Sequence, residues 1–381
     1  LLHTTPESLH ETQPFLSDDG NLVIIDDARI DNRDEVKAAL TSPLRTDTDV
    51  ELILKAYERW GVACPDRLIG DFAFAIWDQR QRRLFCARDP IGVKPFYYHW
   101  DGHRFLFVSE ITVLLDVPGL PKRIDDATVA DYLLSDFRDP DATFFEGIKQ
   151  LRPAHTLLVD RDRPRLERYW KVDPSVVARY ARDEDYLEHF RELFREAVRC
   201  RLRSHVPVGV LLSGGIDSTS VTAMAETLRQ ERPDQPSLFA VTVLSGGFAR
   251  EDQEAIQRLT ARFGTPVHVV HAQATQGSLA SEEFSDPRYG APAFGALTHP
   301  KVFEPLASQG CRVLLSGLGA DHLVGMAELG VLTDLWSRCR FITLAGEIRT
   351  MAHKDARIGR SILLQLLRQQ IPGRTRRLIK T

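Results

Sequence analysis

The densest chemistry in this chain lies in Ser213-Gly214-Gly215-Ile216-Asp217-Ser218, with Thr219 beside it. Hydroxyls and glycines in that order suit an anion. Gly214 and Gly215 let the backbone come close to a ligand and take a positive φ where a turn needs one. The loop amides, with the positive end of a following helix, form a phosphate site. Ser213, Ser218 and Thr219 add hydroxyl donors. Asp217 is the odd member. A carboxylate beside phosphates calls for a cation between them, and Mg²⁺ takes oxygen ligands of this kind. The commoner phosphate loop, G-x-x-x-x-G-K-[ST], is absent from the sequence, so a kinase or GTPase reading has no support.

Such a loop must be held by a strand before it and a helix after it. Val206 to Leu212 is apolar and rich in valine, and the residues from Ile216 onward are compatible with a helix. Tyr186 to Arg203 reads as a helix leading in. Beyond the loop, Leu238 to Leu244 reads as a buried strand, Glu251 to Phe263 as a helix and Pro266 to Val270 as a strand. Arg312 to Leu315 is a further strand, ending in a second glycine-rich segment, Ser316-Gly317-Leu318-Gly319-Ala320-Asp321. Strand and helix in turn predict a parallel, doubly wound sheet. Ligands of such sheets sit at the carboxyl ends of strands, where both glycine-rich loops fall. Glu251 and Asp252 are either further acidic groups at that edge or first-turn helix acids favoured by the dipole.

The first half has a different rhythm. Residues 21–31 read as a strand with a turn after it, Arg33 to Leu40 as a short helix, and Thr46 to Trp60 as an amphipathic helix capped by its Thr/Asp cluster. Asp71 to Trp77 and Arg83 to Arg88 alternate with period two and predict a hairpin. Lys94 to Trp100 and His103 to Ser109 predict another, turned at Asp101-Gly102. Hairpins with two helices imply an α+β sandwich over residues 1–175. The charged, proline-containing stretch from Lys171 to Asp185 reads as a linker, and residues 186–381 form the α/β domain. The aromatic residues between 72 and 100 read as core and hairpin pairs.

A chain of 381 residues carries a sizeable core in each half. A net charge of −4 gives no reason to expect a nucleic-acid partner, and no apolar run approaches the length of a membrane span. Cys64, Cys86, Cys200, Cys311 and Cys339 are scattered without metal spacing, which fits reduced thiols in the cytoplasm. His268 and His271 read as a strand edge, and the basic residues from Arg357 to Lys380 as a solvated helix face. Leu1 is not an initiator methionine, and the first twenty residues have no signal-peptide pattern. The sequence is therefore expected to be an internal piece of a longer protein.

Ser213 to Ser218 resembles the SGG-x-DS loop of the ATP pyrophosphatases, and Ala197 to Val221 resembles the asparagine synthetase superfamily in particular. In the first half, three segments are similar to its amino-terminal glutamine amidotransferase domain: Asp71-Phe-Ala-Phe-Ala75, Arg88-Asp-Pro-Ile-Gly-Val-Lys-Pro-Phe-Tyr-Tyr98 and Ser109-Glu110. Leu151 to His155 and Tyr169-Trp170 look like the segment closing that domain. The resemblance implies an amino-terminal-nucleophile-hydrolase-like sandwich followed by an ATP-pyrophosphatase sheet. It implies ATP and pyrophosphate contacts at Leu211, Ser213, Gly214, Gly215, Asp217, Ser218, Val243, Ser316 and Gly317, with Mg²⁺ on Asp217 and Asp321. The implied reaction activates a small-molecule or peptide carboxylate as an acyl-adenylate with loss of pyrophosphate. An amine, from glutamine-derived ammonia or internal to the substrate, then gives the amide and AMP.

Departures from the family bear on the amine. The cysteine nucleophile of a glutaminase would lie upstream of Leu1. Asp27, with Ala28 after it, stands where the family carries an oxyanion-hole Asn, and a carboxylate there repels an oxyanion. Asp49 matches the acid that holds the glutamine amino group. Leu318 stands where asparagine synthetases carry a Glu expected to act as base, and a leucine takes no proton. His322 stands where a Glu usually follows the Asp. Any lysine that completes the synthetase site would lie beyond Thr381. The departures point to a relative that has lost glutaminase function and uses another amine, as β-lactam synthetases and lasso-peptide cyclases do. A nucleotide-binding partner protein without catalysis is the remaining expectation.

Overall fold

The computed structural model describes residues 3–354, apart from 135, 137, 161–162, 233, 245–249, 272–299 and 321–327. The amino-terminal part begins with strands β1 (Phe15–Leu16) and β2 (Leu22–Ile30) and helices α1 (Arg33–Ala39) and α2 (Asp49–Trp60). Strands β3 (Gly70–Asp78), β4 (Arg83–Arg88), β5 (Tyr97–Trp100) and β6 (Phe105–Val108) follow, then helices α3 (Ile111–Leu115) and α4 (Asp126–Leu134). Strands β7 (Ile148–Gln150), β8 (His155–Val159) and β9 (Pro164–Arg168) complete it. Two sheets result, of order β1-β2-β3-β4-β8-β9 and β6-β5-β7, with every pairing antiparallel.

Period two along β3 makes the layers. Phe72, Phe74 and Ile76 face a core shared with Val50, Ile53, Leu54 and Tyr57 of α2. Ala73 and Ala75 face the other way, into a core with Phe96, Tyr98 and Leu151 from the second sheet and its flanks. Tyr97 and Ile148 then turn the far face of that second sheet onto Ile111 and Leu114 of α3. Helix, sheet, sheet and helix thus stack as four layers. Phe72, Phe74, Phe85, Phe96, Tyr97 and Tyr98 serve these contacts, Phe96 stacking on Phe107 and Tyr98 on Phe105, whereas Trp77 is exposed.

The capped helix starts at Asp49 rather than Thr46. Thr48 is its N-cap and accepts from the Glu51 amide at 3.4 Å, while Glu51 turns back to accept from the Arg45 and Thr46 amides. Lys94 to Phe96 form a loop, so β5 begins at Tyr97. The hairpin β8–β9 closes the large sheet beside β4 and has no counterpart in the sequence reading.

The second part opens with helix α5 (Asp183–Arg201) and continues through β10 (Val208–Leu211), α6 (Ile216–Glu231), β11 (Leu238–Leu244) and α7 (Arg250–Phe263). Then come β12 (Val267–His271), α8 (Pro300–Ser308), β13 (Val313–Leu315), α9 (Glu328–Ser337) and α10 (Phe341–Lys354). The four strands form a parallel sheet of order β12-β11-β10-β13. Val198, Ala225, Leu228, Ile256 and Leu259, from α5, α6 and α7, cover one face. Val302 and Leu306 of α8 cover the other. Gly209 is small because α8 comes close: a Cβ there would lie 2.8 Å from Leu306 Cδ2. Helices α9 and α10 share a small core of Leu332, Leu335 and Leu344.

Candidate active site

The chain runs from β10 outward to β11 and β12, then returns to place β13 on the opposite side of β10. The strand order therefore reverses between β10 and β13, which is where ligands of open α/β sheets bind. Both glycine-rich loops leave the carboxyl ends of these two strands. They touch: a Cβ on Gly317 would lie 2.7 Å from the Ser218 amide nitrogen and 2.8 Å from Asp217 Cβ.

The first loop is built by its own hydroxyls. Ser218 Oγ accepts from the Ser213 amide at 3.0 Å and lies 2.9 Å from Ser213 Oγ, so the two serines close the loop across the helix start. Gly214 takes φ +82°, and its missing Cβ makes room for Asp252, whose carbonyl oxygen would lie 2.5 Å away. Gly215 is the N-cap of α6 without a side-chain cap, so the first amides of α6 lack that partner and remain suited to an anion. Asp252, in the first turn of α7, is thereby brought to the loop by its main chain. The Thr219 hydroxyl is enclosed and has no partner among the described residues.

Asp217 is half-exposed in the first turn of α6. Its carboxylate makes no hydrogen bond or ion pair to another described residue. A half-exposed carboxylate at a loop of amides and hydroxyls, free of internal partners, fits a hard cation bridging to phosphate oxygens. Leu211 ends β10 and Val243 lies in β11 opposite Val270, both half-buried. Ser316 is exposed, and its Oγ accepts from the Leu318 amide at 3.4 Å. Leu318 is 80% exposed at the rim of the second loop. Asp321 lies outside the described residues, as do His322 and the basic residues from Arg357 onward. His268 and His271 are exposed on β12, the edge strand of the sheet.

The residues matched to a glutamine site are arranged otherwise. Asp27 lies on β2 opposite Ala73, and Lys94 Nζ sits 2.5 Å from its Oδ1, so its charge is paired. Ala28 is half-buried against the large core. Asp49 is 3% exposed. Its Oδ1 accepts from Arg33, and its Oδ2 accepts from the Ile30 amide at 3.3 Å and from Arg203 at 3.1 Å. Sequence reading found Asp49 but missed both arginines, because pairing across 16 and 154 residues leaves no local pattern.

The loop that presents Lys94 explains the Arg88-to-Tyr98 motif. Asp89 is 1% exposed, and its carboxylate accepts from the amides of Ile91, Gly92, Val93 and Lys94 at 2.6 to 3.1 Å. Arg88 donates to the carbonyls of Gly92, Lys94 and Leu151. Beside Asp27, Asp26 is a second acid that the sequence reading passed over. Its Oδ2 is enclosed without a partner, while Gln13 donates to its Oδ1. Burial pushes the Asp26 carboxyl well above the usual carboxylate range, and the charges of Glu11, Asp49 and Asp27 push the same way.

A four-layer sandwich of antiparallel sheets joined to a parallel sheet with two glycine-rich loops at its switch point defines an amidotransferase-like half followed by an ATP-pyrophosphatase-type α/β fold. Comparison with known proteins gives the family. Residues 7–170 match the glutamine amidotransferase domain family, and residues 189–378 match the asparagine synthase family. The chain belongs to the asparagine synthetase superfamily. It is 36% identical over 251 residues to asparagine synthetase [glutamine-hydrolyzing] 3 of Bacillus subtilis, covering 62% of this chain and 40% of that protein. It is 29% identical to amidase chry2 of Gibberella zeae, covering 91% of this chain and 54% of the relative. It is 30% identical to amidase chyE of Penicillium rubens, covering 84% and 49%. The chain thus spans about half the length of the curated relatives it matches. Among solved structures, glutamine phosphoribosylpyrophosphate amidotransferase of Bacillus subtilis is similar at 15% identity and a TM-score of 0.31, over 84% of this chain and 76% of that one. That likeness is too slight to carry an argument. Among the described residues, no helix is long and apolar enough to cross a membrane.

Proposed function

We propose that the protein to which this chain belongs is an ATP-dependent amide-bond synthetase that releases pyrophosphate and AMP. The observation that carries this reading is the contact of Gly317 with Asp217 and Ser218, which joins two glycine-rich loops at the switch point of the sheet. A carboxylate oxygen of the substrate attacks the α-phosphorus of ATP, and the bond to the pyrophosphate oxygen breaks. The loop amides from Ser213 to Ser218 and the start of α6 stabilise the charge on the departing pyrophosphate. Asp217, with Asp321 by family resemblance, would hold Mg²⁺, which supplies charge neutralisation on the phosphate oxygens. An amine then attacks the acyl carbon, AMP leaves, and the amine proton goes to a base other than Leu318. Adenylation converts a poor leaving group into a good one, so these loops suffice for any carboxylate that reaches them.

The amino-terminal half bears on the choice of amine. Asp49 is engaged by two arginines, and Asp27 by Lys94. Both observations favour an amine other than glutamine-derived ammonia, and hence a substrate-borne or internal amine that closes a ring. The deciding experiment is ATP–pyrophosphate exchange on the full-length protein with Mg²⁺, using aspartate and a panel of amino-diacids and peptides. Exchange with aspartate assigns an asparagine synthetase; exchange with a peptide or amino-diacid alone assigns a ring-closing synthetase. Exchange with none, alongside measurable ATP binding, leaves a carboxylate outside the panel or a non-catalytic nucleotide-binding partner.

A further inference from the structure

We infer that the pocket around Asp49 is a guanidinium site that Arg203 occupies from the other half of the chain, making it a fastener between the sandwich and the α/β unit. The inference needs no catalysis, so it stands or falls separately from the reading above.

Arg203 follows α5 by two residues and precedes β10 by five. Its Nη2 donates to Asp49 Oδ2 at 3.1 Å, its Nη1 lies 3.8 Å from Glu7, and the side chain is 20% exposed. Arg33 holds the other Asp49 oxygen and also approaches Glu7, at 3.9 Å. Arg33 also binds Asp47 at 2.9 Å, so Asp49, Glu7 and Asp47 share the two guanidiniums, with Lys37 on Asp47 as well. Arg203 Nη1 and Glu7 Oε2 are enclosed without a hydrogen-bond partner among the described residues, so Arg203 is held there chiefly through its Nη2 bond to Asp49. Removing Arg203 strands Asp49 and Glu7 with a single counter-charge.

The same seam carries further contacts. Arg201 Nη2 donates to Asp71 at 2.9 Å and lies 3.4 Å from Asp31. Arg29 of the sandwich donates to the Cys200 carbonyl at the end of α5, and the His205 amide donates to the Thr4 carbonyl at 3.3 Å. The sandwich therefore grips the turn between α5 and β10 from four directions. Asp49 is the most buried acid in that grip. An ammonium ligand would have to compete with Arg203 for the same oxygen.

The test uses full-length protein with Arg203→Ala and Arg203→Lys. The readouts are cleavage of the exposed 171–182 connection under limited proteolysis and the number of melting transitions. Wild type is expected to melt as one unit. Arg203→Ala is expected to be cleaved about tenfold faster and to melt in two steps, because about 1.4 kcal/mol of seam stability corresponds to that factor. About 20 mM guanidinium, but not sodium or methylammonium at equal ionic strength, is expected to slow cleavage again by refilling the fork. Arg203→Lys is expected to fall between the two, and it supplies the reading if the alanine variant does not fold. Wild-type cleavage and melting in Arg203→Lys and Arg203→Ala would overturn the inference. So would stabilisation of wild type by L-glutamine that disappears in Asp49→Asn, since that result would make the pocket a working ligand site.

Discussion

Gly317 lies against Asp217 so closely that a single methyl group between them would sit 2.8 Å from the Asp217 Cβ and 2.7 Å from the Ser218 amide nitrogen. The two residues belong to loops a hundred positions apart, and they meet because β10 and β13 are adjacent parallel strands. No positive φ is required at Gly317, so space alone demands glycine there. Gly317→Ala is expected to displace the loop from Ser213 to Ser218 while leaving both cores intact. Pyrophosphate exchange should fall about a hundredfold, the scale of misplacing a positioned group by an ångström. Unchanged exchange with unchanged melting would show that the second loop does not bear on the first.

Asp217→Asn separates ligand chemistry from folding. The carboxylate is half-exposed and unpaired among the described residues, so its loss should change stability by less than about 0.5 kcal/mol, as for ordinary surface positions. Exchange, by contrast, should fall by about two to three orders of magnitude, the scale of one lost charge-stabilising contact. Titrating Mg²⁺ against the variant checks the cause: the apparent Mg²⁺ requirement should rise.

How much of this was legible beforehand depended on range. Ser213 to Ser218 could be read because every group it uses lies within six residues, and a strand and a helix flank it on periodicity alone. The layers of the sandwich followed from the alternation in Phe72 to Ile76. The pairs Asp49–Arg203 and Arg201–Asp71 were not legible, because ion pairs across such separations have no spacing rule. The hairpin at His155 to Arg168 was missed because its second strand, Pro164–Arg168, is polar and largely exposed and shows no apolar alternation. Asp89 was placed in a family motif, but its work as a cage for four amides needed coordinates.

Asp89→Ala should therefore be costly in the sandwich. Four amides that now share one buried carboxylate would lose it together, in a loop fixed on its other side by Arg88. Each unmet buried group costs about 1 to 3 kcal/mol, with partial relief as the loop opens to water. A net loss of about 3 to 5 kcal/mol is expected, read from denaturant unfolding at constant slope. Asp89→Asn should cost less, since its Oδ1 still accepts. If the alanine variant unfolds like wild type, the cage carries no stability.

Asp26 gives the pH prediction. Enclosure raises its carboxyl, Glu11 is likewise raised by burial, and Asp49 and Asp27 add like charge. A carboxyl raised in the folded state binds its proton more tightly there than in the unfolded chain. Its contribution to stability is thus fully present below the unfolded value, near about 4, and is lost as pH rises through the folded value. Asp26→Asn removes that titration and keeps an oxygen to accept from Gln13. The variant should be more stable than wild type above the folded value, with the gap closing as pH falls from there towards about 4 and constant below it. Paired melting curves from pH 3 to 8 check this, and a gap that stays constant across the range would show that Asp26 carries no unpaid charge in the folded protein.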